Sequence, residues 1–354
     1  MKTTTVAGRT WHYSHSMGRQ TAEHNESKWG RTGGYCYPMD VASAGDDILF
    51  VVSRGFAYTE EDNGHDTYMR IGKTTMGEDH IGDFARGAFT WPVALAIDGQ
   101  GRVYCADEHE NTITSFDPNA IVTYPEMGPG PDDRVTWGVK GSEEGQIDGP
   151  SGLAFDPNDD LYVVESLNNR VQKFSKGGEF ILSFGGFGTG EGEFNRPWGV
   201  AVDGDGAVYV VDWGNHRVQK FSNDGNYLMS FGGTGDGSNS LSNPAGVAVD
   251  SDGDVYVTDW GNRRVQIYEP DGSVLTSLYG DADKLSRAGE YLLARDPGFV
   301  KILARRKSDV MSYLARFGRP IGIDIDEHDC IIITDGRGRL QVYRKDNAYA
   351  EPPI

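Results

Sequence analysis

Asp107 is followed by Glu108, His109, Glu110 and Asn111. This run sets carboxylates beside an imidazole, the side-chain types that move protons near neutral pH or hold a cation. Four of the eight histidines, His24, His65, His80 and His109, fall on irregular segments of one stretch of chain. Two or three imidazoles converging with Asp107 or Glu110 suit zinc or another divalent ion, which acidifies bound water or polarises a carbonyl. The metal candidates are therefore His24, His65, His109 and Asp107. Asp107 and His109 are also the acid–base candidates, with Arg54 placed to orient an anionic substrate group. Asp40, Tyr58, Trp91 and Arg54 are the substrate-contact candidates. No histidine pair has the tight spacing of a metal-binding helix, so isolated histidines are the competing reading.

Other chemistry is sparser. Asp203-Gly-Asp205-Gly and Asp250-Ser-Asp252-Gly-Asp254 look like fragments of calcium loops but lack the later bidentate glutamate, which favours hairpin turns. A zinc or calcium ion held in a channel by Asp107 or Asp40 is a further expectation. Cys36, Cys105 and Cys330 are an odd number without metal-type spacing and read as buried thiols. No nucleophile elbow, phosphate-binding glycine loop or His-Glu-x-x-His pair occurs.

The elements that must position these residues repeat. A proline, one or two residues, then a short apolar run ending near an acid recurs at Pro38, Pro92, Pro150, Pro197, Pro244 and Pro320. Pro150, Pro197 and Pro244 are spaced 47 residues apart, a period that reads as propeller blades. Within residues 195–233, apolar runs alternate with Asp-Gly and Gly-Asn turns, the pattern of consecutive hairpins. The predicted fold is all-β: a six-bladed β-propeller of four-stranded antiparallel blades, one domain over residues 1–354. Only three strands follow Pro320, and residues 9–18 match the fourth-strand slot, so the N-terminal strand is expected to close the last blade.

VYVVDWGNHRVQKF (208–221), VYVTDWGNRRVQIY (255–268) and LYVVESLNNRVQKF (161–174) place an acid, an Asn and an Arg at fixed offsets after the second strand. In this the chain resembles the NHL-repeat family, with residues 332–343 (IITDGRGRLQVY) a fair match and the first two repeats poor ones. The family includes scaffolds, lyases and relatives of lactonases, so the resemblance implies the fold and leaves function open.

The acid ending each second strand recurs as Asp107, Glu165, Asp212, Asp259 and Asp335, with Ser53 in blade one. Arg170, Arg217, Arg264 and Arg339 follow four of these acids, a regularity that reads as blade-locking ion pairs. Blade two carries Thr112 where the others have Arg, and blades one and two replace the glycine of Pro-x-Gly by Asp40 and Ala94. Such departures place the site beside blades one and two. Long crossings at 19–37, 73–91 and 123–149, the 54–66 expansion and an insert at about 281–316 all belong to one face, the expected functional face. Trp91, Trp137, Trp198, Trp213, Trp260, Tyr37 and Tyr58 are candidates for walling its channel mouth, Trp213 and Trp260 doubling as packing elements.

The insert is predicted as two helices, and residues 281–319 hold nine Lys or Arg against five Asp or Glu. A formal net charge of −20 disfavours nucleic acid as a partner. No apolar run approaches a membrane span and no leader is recognised, so a cytoplasmic protein without membrane partners is expected. Two functions follow. One is a metal-assisted lyase or hydrolase acting on a small, anionic molecule at the loop-bearing channel mouth. The other is a binding scaffold presenting that face and the insert to a protein, with homo-oligomerisation through the insert as a further expectation.

Overall fold

The computed structural model describes residues 3–18, 35, 37–54, 70–84, 89–119, 134–282, 286, 287, 290 and 315–346. Six antiparallel sheets form among them. Blade one is β3 (Pro38–Ser43), β4 (Ile48–Ser53), β5 (Arg70–Thr75) and β6 (His80–Phe84); blade two is β7 (Pro92–Ile97), β8 (Val103–Asp107), β9 (Thr112–Phe116) and β10 (Val135–Trp137). Blades three to five repeat the meander as β11 (Pro150–Phe155), β12 (Asp160–Glu165), β13 (Arg170–Ser175) and β14 (Phe180–Gly185); β15 (Pro197–Val202), β16 (Val208–Asp212), β17 (Arg217–Phe221) and β18 (Tyr227–Gly232); and β19 (Pro244–Val249), β20 (Val255–Asp259), β21 (Arg264–Tyr268) and β22 (Val274–Leu278), each opening on its proline.

Second strands such as β16 (Val208–Asp212) and β20 (Val255–Asp259) are buried at every residue, because neighbouring blades cover both faces. Their sequences are accordingly continuous apolar runs. Outer strands such as β14 (Phe180–Gly185) alternate between half-buried and exposed residues, having a neighbour on one face only. The first-to-second turns are capped by their own aspartates: Asp203 Oδ1 accepts from the Asp205 and Ala207 amides at 3.1 and 2.8 Å. Asp250 does the same for Asp252 and Asp254, both at 3.0 Å. The calcium-loop strings are hairpin turns.

The closing blade has the order β1 (Thr3–Val6), β2 (Arg9–Gly18), β25 (Arg339–Asp346), β24 (Cys330–Asp335) and β23 (Pro320–Ile325). As expected, β2 (Arg9–Gly18) is its fourth strand, pairing with β25 (Arg339–Asp346) through the register Tyr13↔Tyr343. The sequence reading missed β1 (Thr3–Val6), which hydrogen-bonds outside β2 and makes this blade five-stranded.

Among the described residues the only complete helical element is a single 3-10 turn, Trp213–Asn215, and Arg287, Glu290 and Ala315 are isolated helical positions. The two helices expected at about 281–316 are not supported as elements, most of that range lying outside the described residues. Its two feet are tied together, Ala282 N donating to Ala315 O and Phe317 N to Tyr279 O at 3.3 and 3.0 Å. Ser286 Oγ donates to Gly18 O, and Arg287 pairs with Asp79 at 2.7 Å. The start of the insert therefore touches the closing blade and blade one.

First strands crowd round the axis, which is why Pro-x-Gly carries glycine. A Cβ on Gly199 would lie 2.4 Å from Ala245 O of the next blade. The glycine lets adjacent strands converge on the channel.

Candidate functional site

The acid at the end of each second strand binds the crossing that leads into its blade. Asp212 accepts from Asn195 N at 2.8 Å and from Arg217 Nε at 2.8 Å. Asp259 repeats this with Ser242 N and Arg264, both at 2.8 Å, and Glu165 with Asp148 N and Arg170 at 2.9 and 2.8 Å. In the closing blade Asp335 takes Gly318 N and the fully buried Arg339, both at 2.9 Å. These are the blade-locking pairs that the acid–Arg spacing implies. Blade one also has its arginine: Arg70 pairs with Ser53 across β4 and β5, delayed in sequence by the expanded loop.

Asp107 is buried, and its carboxylate faces backbone. Thr90 N and Trp91 N donate to Oδ2 at 2.7 and 3.0 Å, and His109 N and Glu110 N to Oδ1, both at 3.0 Å. Four amides thus surround an acid whose blade has Thr112 in place of arginine. The His109 ring is 59% exposed at its side chain and lies 3.1 Å from Glu110 Oε1, so His109 meets Asp107 through its amide rather than its ring. Glu110 titrates below the usual carboxylate range, chiefly because Thr90 Oγ1 donates to it and secondarily because of His109.

Arg54 is held on the rim. Its guanidinium pairs with Glu108, donates from Nε to Pro92 O at 3.3 Å and lies 5.0 Å from the centre of the half-exposed Trp91 ring. Arg319 stacks on Trp260 at 4.0 Å on the same face. Trp198 lines the channel, whereas Trp137 packs on Phe174 in the outer part of the next blade, away from the mouth. His24, His65 and Tyr58 lie outside the described residues. Among the described residues no group of three or more His, Cys, Asp or Glu is arranged to hold a metal ion.

The axial channel is a cavity of about 340 Å³ lined by first strands of all six blades. Among the described residues that line it, Asp40 and Asp324 are the only charged side chains; the others are mostly apolar side chains and glycines, with backbone polar groups between them. Asp40 Oδ2 accepts from Leu95 N of blade two at 2.9 Å, and Asp324 Oδ2 from Ser43 N of blade one at 2.6 Å. Each carboxylate is enclosed by protein yet partly open to the lumen. Burial pushes the Asp40 carboxyl up to about 7, the nearby Asp324 charge adding to it. Burial likewise pushes Asp324 up to about 6. The departure of Asp40 from glycine was visible in the sequence. Asp324 was missed, although the matching position is Ala42, Ala96, Ala154, Ala201 or Ala248 in the other blades.

The NHL repeat model matches residues 148–174, 194–221 and 241–268, one stretch in each of blades three, four and five. The chain is an NHL-type six-bladed propeller. No curated protein matches this NHL-type propeller by sequence. Solved structures match it in fold. An auxiliary nutrient binding protein from Bacteroides ovatus is 12% identical with a TM-score of 0.59, over 95% of this chain and 77% of its own. A gluconolactonase from Xanthomonas campestris is 13% identical with a TM-score of 0.56, over 88% and 87%. Virginiamycin B lyase from Staphylococcus aureus is 12% identical with a TM-score of 0.53, over 94% and 99%. At these identities the likeness shows the fold alone. No helix among the described residues of this NHL-type propeller is long and apolar enough to cross a membrane.

Proposed function

We propose that the chain transforms a small molecule at the loop-bearing mouth of its channel, as a lyase or hydrolase, with Asp40 as the group that gives and takes the proton. The observation that carries this reading is the placement of Asp40: an enclosed carboxylate on the wall of the axial cavity, where four other blades have glycine, titrating at about 7. Such a group is present in both protonation states at neutral pH, the condition under which a carboxyl serves as acid and base. Arg54 and Trp91 form the rim above it and suit an anionic, planar substrate part, which would share the guanidinium with Glu108. A lyase and a gluconolactonase among the solved propellers are compatible with this scaffold.

A zinc or calcium ion enters this proposal through His24 and His65, outside the described residues. Of the described candidates, Asp107 has its oxygens engaged by amides and His109 lies beside Glu110. These two do not fit a metal as they stand, and the proton transfer assigned to Asp40 needs no ion.

The test is turnover of a panel of small lactones and carboxylate-bearing esters by wild type and Asp40→Asn. Loss of about 100-fold in rate with a Tm no lower than that of wild type is expected. Equal turnover by both proteins would overturn the assignment. A second reading, a scaffold for a protein partner, is favoured by Val139, Leu167 and Phe187, which stand 66%, 55% and 75% exposed on loop-face segments of blades three and four. Partner capture that Phe187→Asp abolishes and Asp40→Asn leaves intact would select it.

A further inference from the structure

The face opposite the loops, plain in sequence, carries a buried ionic cluster where the ring closes. Lys345 Nζ, at the end of β25, donates to Asp250 Oδ2, Asp252 Oδ2 and Asp254 Oδ2 at 2.6, 2.8 and 2.9 Å. The side chains of Lys345, Asp250 and Asp254 are fully buried. Arg9 of β2 adds a second cation, with Nε 2.8 Å from Asp254 Oδ2. Tyr256 donates to Asp250 at 2.8 Å and receives Trp11 Nε1 at 2.9 Å, so β2, β25 and blade five meet at one point.

The comparison with other blades is informative. In blade three, Lys173 of the third strand lies 2.8 Å from Asp156 and 3.1 Å from Asp160. In blade four, Lys220 lies 3.6 Å from Asp203. Both lysines belong to the blade whose turn they neutralise, opposite Tyr162 and Tyr209. Blade five has Ile267 at that register, opposite Tyr256. Its three aspartates therefore receive their cation from the closing blade.

Three carboxylates spaced two residues apart each place an oxygen within 2.9 Å of one ammonium, which makes the turn an anionic pocket for a single cation. A further oxygen is spare, since Asp254 Oδ1 is buried without a hydrogen-bond partner. We propose that the Asp250–Asp252–Asp254 turn is a cation site whose resident cation is the Lys345 ammonium, and that this tethered cation latches the ring between blade five and the closing blade. Removing one partner of a buried ionic set leaves uncompensated charge, so closure depends on Lys345 more than on an ordinary surface pair. The emptied site has the hard oxygen donors that a divalent ion such as Ca²⁺ prefers.

The experiment is thermal unfolding of wild type, Lys345→Ala and Lys345→Ala/Asp254→Asn, with Ca²⁺ at about 5 mM, above the weak end of protein calcium affinities, or NaCl of equal ionic strength. Lys345→Ala is expected to lower Tm by about 5–10 °C. Ca²⁺ but not NaCl should restore at least half of that loss, and the double variant should not respond. A Lys345→Ala protein as heat-stable as wild type overturns the latch. A destabilised one that Ca²⁺ and NaCl affect alike overturns the cation site. Should Lys345→Ala not fold, Asp252→Asn, whose side chain is 41% exposed, is expected to lower Tm by a few degrees and to speed protease cleavage of the β1–β2 hairpin. No change in either measurement overturns the latch.

Discussion

Replacing Asp40 by Asn should make the protein more stable at neutral and alkaline pH, by an amount that grows between pH 3.8 and about 7 and then levels off. The unfolded chain ionises Asp40 near the ordinary value of 3.8, whereas the folded chain holds its proton to about 7. Between those values the folded state binds more protons, so the Asp40 contribution to stability is full below 3.8 and is lost as pH rises through about 7. At about 1.4 kcal/mol for each pH unit of displacement, the penalty on the folded state reaches roughly 4 kcal/mol once the carboxylate is fully charged. Asparagine keeps an acceptor for Leu95 N and carries no charge. The assay is urea unfolding of both proteins across mildly acidic to mildly alkaline buffers, following the difference in unfolding free energy so that other titrating groups cancel. That difference should be small in acid and approach roughly 4 kcal/mol in favour of Asp40→Asn in base. A difference that is flat with pH, or that favours wild type more in base, would refute the reasoning about burial.

Asp107→Ala is expected to lose about 2–4 kcal/mol of stability, because several buried amides lose their acceptor; equilibrium denaturation measures this, and loss of turnover at unchanged stability would instead mark Asp107 as a reacting group. Asn243 N donates to His216 Nδ1 at 3.0 Å, as Gly149 N and Arg196 N donate to Asn111 and Asn169 at 2.8 Å. His216→Asn should therefore be neutral and His216→Leu should lose about 1 kcal/mol, both read from urea midpoints. Gly199→Ala forces a methyl group to 2.4 Å from Ala245 O and is expected to lower stability by about 1–3 kcal/mol, measured the same way.

What could be read without coordinates was whatever repeats. The proline register, the Asp-Gly turns, the acid–Arg pairs and the fourth-strand pattern of residues 9–18 are local patterns written several times, and the acid–Arg contacts recur in four of the six blades. Arg70 escaped that reading because an expanded loop shifts it away from Ser53 in sequence while the strand register keeps the two opposite each other. The run around Asp107 looked like chemistry because its blade lacks the usual arginine. Whether an acid faces solvent or a cluster of backbone amides depends on how the crossing folds over it, and at Asp107 it is the amides.

Composition and period alone determined a propeller of six units, because each strand-turn unit specifies its own hairpins and can bury its faces only against copies of itself. Only the tertiary structure decided which departures from the repeat share a space. Asp40 and Asp324 are far apart in sequence and line one cavity because ring closure puts the first and last blades side by side. Lys345 reaches the blade-five turn for the same reason. Burial, which sets the proton affinity of the first pair and gives the second contact its strength, is a property of the closed ring and of no segment within it.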